Sequence, residues 1–317
     1  MVASPWTRAE SLASSWVDIR TPAAVGDPLG LIGGYSGLSV EVSDLDRAVA
    51  FYSDLLGFGP ATTTSNGKCI ALNASQSLRL VSRAEPRVVA DSGVHQAYTL
   101  PSAQIDALVG RLESGGVSVD RYHEDRQAEL RQNRYCHDPD GNRVQLVSGR
   151  DYGLDHVAFE THDVEWAEVF YTQVLGARVE ERIGWKMADF AGAWAWGSGE
   201  DQCAPGTRRW DTLYTDEKDT VPRPCAQLFV TFAPGTTIGL YLPNVHRQEP
   251  PRRQFRGTPS VAFSVLPGKL DELEQRLRAI RLRCMEPSQQ FGGPYERSDA
   301  TLFVRDNGGN FLEFREG

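Results

Sequence analysis

Two stretches decide the fold: Gly37-Leu-Ser-Val-Glu-Val-Ser-Asp44 and His156-Val-Ala-Phe-Glu-Thr-His-Asp163. Each reads as a short alternating segment, the period of a strand with one buried face. Each ends in an Asp placed to cap the free amides of a helix. Downstream, Phe51, Tyr52, Leu56 and Gly57 answer to Phe170, Tyr171, Leu175 and Gly176. The offset is constant, since 119 positions separate Gly37 from His156 and Gly57 from Gly176. Apolar residues at helical spacing followed by Gly predict a helix with an ordinary C-terminal stop.

A second pair repeats the pattern. His95-Gln-Ala-Tyr-Thr-Leu precedes a helical stretch over Ile105–Glu113 that ends at Gly115-Gly116. Ser260-Val-Ala-Phe-Ser-Val precedes Leu270–Ile280, where Leu270, Leu273, Leu277 and Ile280 share one face. Each half then closes with a tight turn and a strand: Asp138-Pro-Asp-Gly-Asn142 before Arg-Val-Gln-Leu-Val, and Asp306-Asn-Gly-Gly-Asn310 before Phe-Leu-Glu-Phe. Gly and Asn suit the positive φ of such turns. Four units of strand, helix and further strands follow from this order.

The bulk properties fit two domains. At 317 residues the chain can bury two cores, and 40% hydrophobic with 24% charged residues is a globular balance. A net charge of -9 argues against a nucleic-acid surface. Arg252, Arg253 and Arg256 lie beside Pro250 and Pro251 and read as a solvated linker. Five cysteines without metal-site spacing suit a reducing, cytoplasmic setting. No apolar run predicts a membrane span or a signal peptide. Residues 1–34 read as an extension, and neither a phosphate-cradling loop nor a serine nucleophile elbow is present.

The strand–helix–Phe-Tyr–Leu-Gly signature and the Asp-Pro-Asp-Gly-Asn turn resemble the vicinal-oxygen-chelate superfamily, which includes glyoxalase I, bleomycin-resistance proteins and extradiol ring-cleaving dioxygenases. The resemblance spans roughly residues 35–316. It implies an α+β fold of four βαβββ modules, paired into two open mixed-sheet barrels that each enclose a cavity. Domains are expected at 35–149 and 153–317, with modules one and two pairing and three and four pairing.

It also implies where metal ligands stand: on the first strand seven residues before the capping Asp or its equivalent, and on the last strand three residues past the turn Asn or its equivalent. Those positions are Gly37 and Arg79 in module one, His95 and Gln145 in module two, His156 and Gly239 in module three, and Ser260 and Glu313 in module four. Under the expected pairing the C-terminal cavity joins His156 to Glu313, a ligand set for Fe2+ or Mn2+, with Ser260 and Tyr295 completing the candidate catalytic residues. An inward carboxylate needs a partner, and His156 is the expected one. The resemblance to extradiol dioxygenases is broken at Ser260, where a second His belongs, and at Phe303 and Asn307, where Tyr and Pro belong. A swapped pairing of modules two and three would instead gather His95, Gln145 and His156, and leave Gly37, Arg79, Ser260 and Glu313 without metal.

An insertion at about Gly197–Pro224 reads as a lid, with Trp194, Trp196, Trp210 and Tyr241 lining a cavity for a small aromatic ligand. Three functions follow as expectations. The first is a divalent-metal, extradiol-dioxygenase-like oxidoreductase in the C-terminal cavity. The second is a metal-free binding protein of the resistance or sequestration kind. The third is a metal-free isomerase or lyase with Glu313 as base. Edge strands allow a homo-oligomer.

Overall fold

The computed structural model describes residues 31–86, 88, 94–121, 134–161, 164–184, 208–209, 225–241, 260–279, 282, 284, 301–306 and 308–317. Module one comprises β1 (Ile32–Val42), α1 (Leu45–Val49), β2 (Ala61–Thr64), β3 (Gly67–Ala71) and β4 (Ser77–Ser82). Module two comprises β5 (His95–Pro101), α2 (Ile105–Ser114), β6 (Asp120–Arg121), β7 (Arg134–His137) and β8 (Arg143–Gly149). Module three comprises β9 (Gly153–Glu160), α3 (Val164–Val169), β10 (Arg178–Gly184), β11 (Arg208–Arg209), β12 (Cys225–Ala233) and β13 (Thr236–Tyr241). Module four comprises β14 (Ser260–Val265), α4 (Leu270–Ala279), β15 (Thr301–Arg305) and β16 (Phe311–Glu316).

Local chemistry explains these elements. Asp44 caps α1 by accepting from the amides of Asp46 and Arg47, both at 3.0 Å. The helix then widens into a π-helical turn over Ala50–Leu55, and its counterpart α3 does the same over Phe170–Val174. The wide turn lets two consecutive aromatics, Phe51 and Tyr52, both face the core. Gly57 and Gly176 end these helices with φ of 78° and 81°.

The modules pair in the swapped arrangement rather than the expected one, and they form no barrels. One sheet runs β15-β16-β14-β1-β4-β3-β2, so it joins module four to module one. The other runs β11-β10-β12-β13-β9-β5-β8-β7-β6, joining module three to module two; its outermost strands, β11 and β6, are two residues each. Closure requires every strand to have two neighbours. Among the described residues β2, β15, β6 and β11 each have one, so both sheets are open.

The short connection between modules two and three accounts for the pairing. Only Arg150, Asp151 and Tyr152 separate β8 from β9. They reach about 14 Å, which is about three strand spacings. β9 therefore falls in beside β5, antiparallel, on the edge that β8 leaves open. Residues 150–152 thus connect two strands of one sheet.

Modules one and two still touch, but through side chains. Tyr52 donates to Asp138 at 3.0 Å, and the Asn142 amide donates to the Glu41 carbonyl. Modules three and four repeat this with Tyr171 on Asp306 at 2.9 Å and Asn310 on the Glu160 carbonyl. One continuous apolar core joins the helix-bearing faces of both sheets. No described helix is long and apolar enough to cross a membrane.

Candidate functional site

The face of each sheet opposite the core carries the polar positions. In the second sheet a single row reads His156, Ala97, Gln145, Tyr135 across β9, β5, β8 and β7. His95 stands two residues before Ala97 and so shares that face. Its Nε2 lies 2.9 Å from Nε2 of His156, with the rings edge to face at 5.1 Å. Tyr135 packs its ring against His95 at 5.6 Å, and the Arg143 guanidinium sits 4.3 Å from the Tyr135 centroid. Gly239, beside Ala158, leaves the remaining ligand position without a side chain.

A bulge orients His156. The register passes from Ala97↔His156 to Tyr98↔Leu154, so Asp155 is the extra residue. Neighbours on a regular strand point to opposite faces, but a bulge re-aims one of them. Asp155 Oδ2 thereby reaches His156 Nδ1 at 2.8 Å. With Nδ1 donating to this carboxylate, Nε2 is the lone-pair nitrogen and faces the cleft. Tyr35 of module one lies close enough that the Asp155 carboxylate adds to burial in pushing its hydroxyl pKa well up, and its hydroxyl donates to the Thr237 carbonyl.

Gln145 places a third polar group on this face. It is buried, and its Oε1 has no hydrogen-bond partner. An orphaned buried oxygen costs on the order of 1–3 kcal/mol. Among the described residues no group of three His, Cys, Asp or Glu could hold a metal. The set of two imidazoles and one carboxamide oxygen lies outside that chemistry but suits a divalent ion. Nitrogens about 2.1 Å from one ion at adjacent octahedral corners lie about 3 Å apart, close to the His95–His156 separation. The residues therefore fit such an ion.

His156 and Glu313 do not meet. Glu313 is in the first sheet, buried, with Oε1 accepting from Arg315 Nε at 2.6 Å and Oε2 facing Arg79 at 3.9 Å. An inward carboxylate did need a partner, but the sheet pairing makes that partner arginine. Both oxygens face guanidinium groups, which leaves neither placed to act as a base. Ser260 is buried in the same sheet with Oγ unpartnered. Tyr295, Trp194, Trp196 and Trp210 lie outside the described residues, as does the 197–224 insertion apart from Arg208–Arg209. Tyr241 ends β13, but its side chain also lies outside them. Asp155, Tyr135 and Arg143 were not singled out in the sequence. Asp155 could have been found only from a bulge, which alternation does not reveal.

Residues 37–146 match the model of the Glyoxalase/Bleomycin resistance protein/Dioxygenase superfamily. The metallothiol transferase FosB of Shouchella clausii (strain KSM-K16) is 27% identical over 127 residues, 38% of this chain and 82% of that protein. The glutathione transferase FosA of Serratia marcescens is 27% identical over 119 residues, 35% of this chain and 78% of that protein. A point mutant of glyoxalase I from Zea mays shares the fold with a TM-score of 0.60 at 14% identity, over 93% of this chain and 96% of that one. The family match thus covers residues 37–146, while the chain as a whole shares the fold of glyoxalase I, with the βαβββ unit recurring through both halves.

Proposed function

We propose that the chain captures a small molecule of the kind handled by resistance proteins on the open face of the second sheet, at His95, His156 and Gln145, and that any chemistry there is non-oxidative. The observation that carries this reading is the 2.9 Å approach of the two imidazole nitrogens on the face where Gln145 offers an unpartnered oxygen. Both similar transferases have names that describe group transfer rather than ring cleavage. A ring-cleaving iron site wants two His and a carboxylate on one side. Here the carboxylate of Asp155 is spent on His156 Nδ1, and Glu313 belongs to the other sheet.

His95 Nε2, His156 Nε2 and Gln145 Oε1 would hold a divalent ion, which when bound supplies a Lewis acid for a ligand oxygen. Asp155 fixes the His156 ring, Gly239 leaves room for the ligand, and Tyr135 walls the site beside His95. A second, metal-free reading has its own support: 2.9 Å is also a direct hydrogen bond, so Asp155, His156 and His95 form a proton relay.

Elemental analysis of freshly purified protein, with His95→Ala, His156→Ala and Gln145→Ala beside it, tests the metal-holding reading. About one ion per chain, lost in both histidine variants and weakened in the glutamine variant, is expected. Metal kept in both histidine variants would overturn the assignment. No metal in any sample, with small-molecule binding still lost in His95→Ala, would select the relay.

A further inference from the structure

The first sheet repeats the candidate site's framework with different side chains. By register, Gly37 takes the place of His156, Ser260 that of His95, Glu313 that of Gln145 and Arg79 that of Gly239. Even the bulge recurs: the register skips Ser36 between Tyr35 and Gly37, as it skips Asp155 in β9. Two imidazoles are thus replaced by a hydrogen and a hydroxymethyl group. The Arg79 side chain reaches over β1 and β14 towards Glu313.

The polar groups of this cleft are under-satisfied in one direction. Ser260 Oγ and Ser36 Oγ are buried without partners. Among the described residues Arg79 has one carboxylate contact, at 3.9 Å, while its side chain is 18% exposed. A guanidinium carries five donors in a fork suited to an oxyanion. Arg315 uses its Nε on Glu313 and is also partly exposed. Among the described residues, Arg79 and Arg315 thus both face the single carboxylate of Glu313. At Gly37 the Ser77 carbonyl fills the space a Cβ would take.

We propose that the cleft of the first sheet is a second, metal-free ligand site that takes a small oxyanion, a carboxylate or a phosphate, between Arg79 and Ser260. The oxyanion accepts from the outer guanidinium nitrogens of Arg79 and Arg315 and from Ser260 Oγ, and Glu313 holds both guanidinium groups in place. This assignment stands apart from the reading of the second sheet.

Thermal unfolding of the full chain with sodium phosphate or sodium acetate, at constant ionic strength made up with sodium chloride, tests it. At about ten times its dissociation constant, the preferred anion raises Tm by roughly 2 °C over the chloride control. The shift is lost in Arg79→Met and reduced in Ser260→Ala, and it persists in His156→Ala. A phosphate shift without an acetate shift identifies a phosphate site, and the reverse a carboxylate site. Should Arg79→Met fail to fold, Ser260→Ala and Arg79→Lys decide. Equal shifts in every variant, or none beyond chloride in the wild type, overturn the proposal.

Discussion

Asp155 owes its position to one extra residue in β9, and its contact with Nδ1 holds the His156 ring. Replacing it by Asn keeps the size but allows the amide to present either an oxygen or an NH2 group to Nδ1. The fixed tautomer is then lost, and with it the lone pair aimed into the cleft. Outer-sphere partners of this type affect metal affinity by about 10–100-fold. Asp155→Asn should therefore weaken divalent-ion binding by that order in calorimetric titration, with the unfolding midpoint nearly unchanged. An unaltered affinity would reduce Asp155 to a packing residue. The strand placement of His95, Gln145, His156 and Glu313 was legible in the sequence, from the repeat and the turn Asn. Their grouping was legible only as the swapped alternative, since it depends on which first strands lie side by side.

The hairpins of modules two and four show how much an element's sequence can carry. In both, the first Asp accepts from the amide of the Asn four residues on, at 2.8 Å, and from its side chain. Gly141 and Gly309 turn the chain with φ of 90° and 86°, as the turn sequences indicate. The sequence did not show that Asp138 and Asp306 would be buried under Tyr52 and Tyr171 from another module. Burial raises the pKa of both carboxyls above the usual value near 3.8, against hydrogen bonds that lower it, first among them those from Asn142 and Asn310. A folded-state pKa above the unfolded one favours folding most at acid pH, and this contribution is lost as pH rises through the folded value. An Asn at the same place stays neutral throughout. Urea unfolding from pH 4 to 7 should thus show wild type losing stability relative to Asp306→Asn as pH increases. The opposite trend would mean that the hydrogen bonds to the carboxylate outweigh its burial.

At the scale of the molecule, the open question is what a module pair can do alone. Strand alternation gave the elements, but backbone hydrogen bonds between β1 and β14, and between β5 and β9, have no side-chain signature to read. The boundary near 149–153 remains a proposal with a physical consequence. Residues 31–149 alone would keep the Tyr52–Asp138 contact that docks modules one and two, yet both first strands would lose their antiparallel neighbours. Such unpaired edges, apolar on the core face and uncovered, recruit another chain. A two-fold arrangement satisfies both at once, since β1 of one copy can take the place beside β5 that β9 holds in the full chain, and β5 the place beside β1 that β14 holds. The fragment is therefore expected to sediment as a dimer and to return to a one-to-one complex when residues 150–317 are added. A folded, monomeric fragment at high concentration would show instead that the two module pairs are independent units and that the shared sheets only fasten them together.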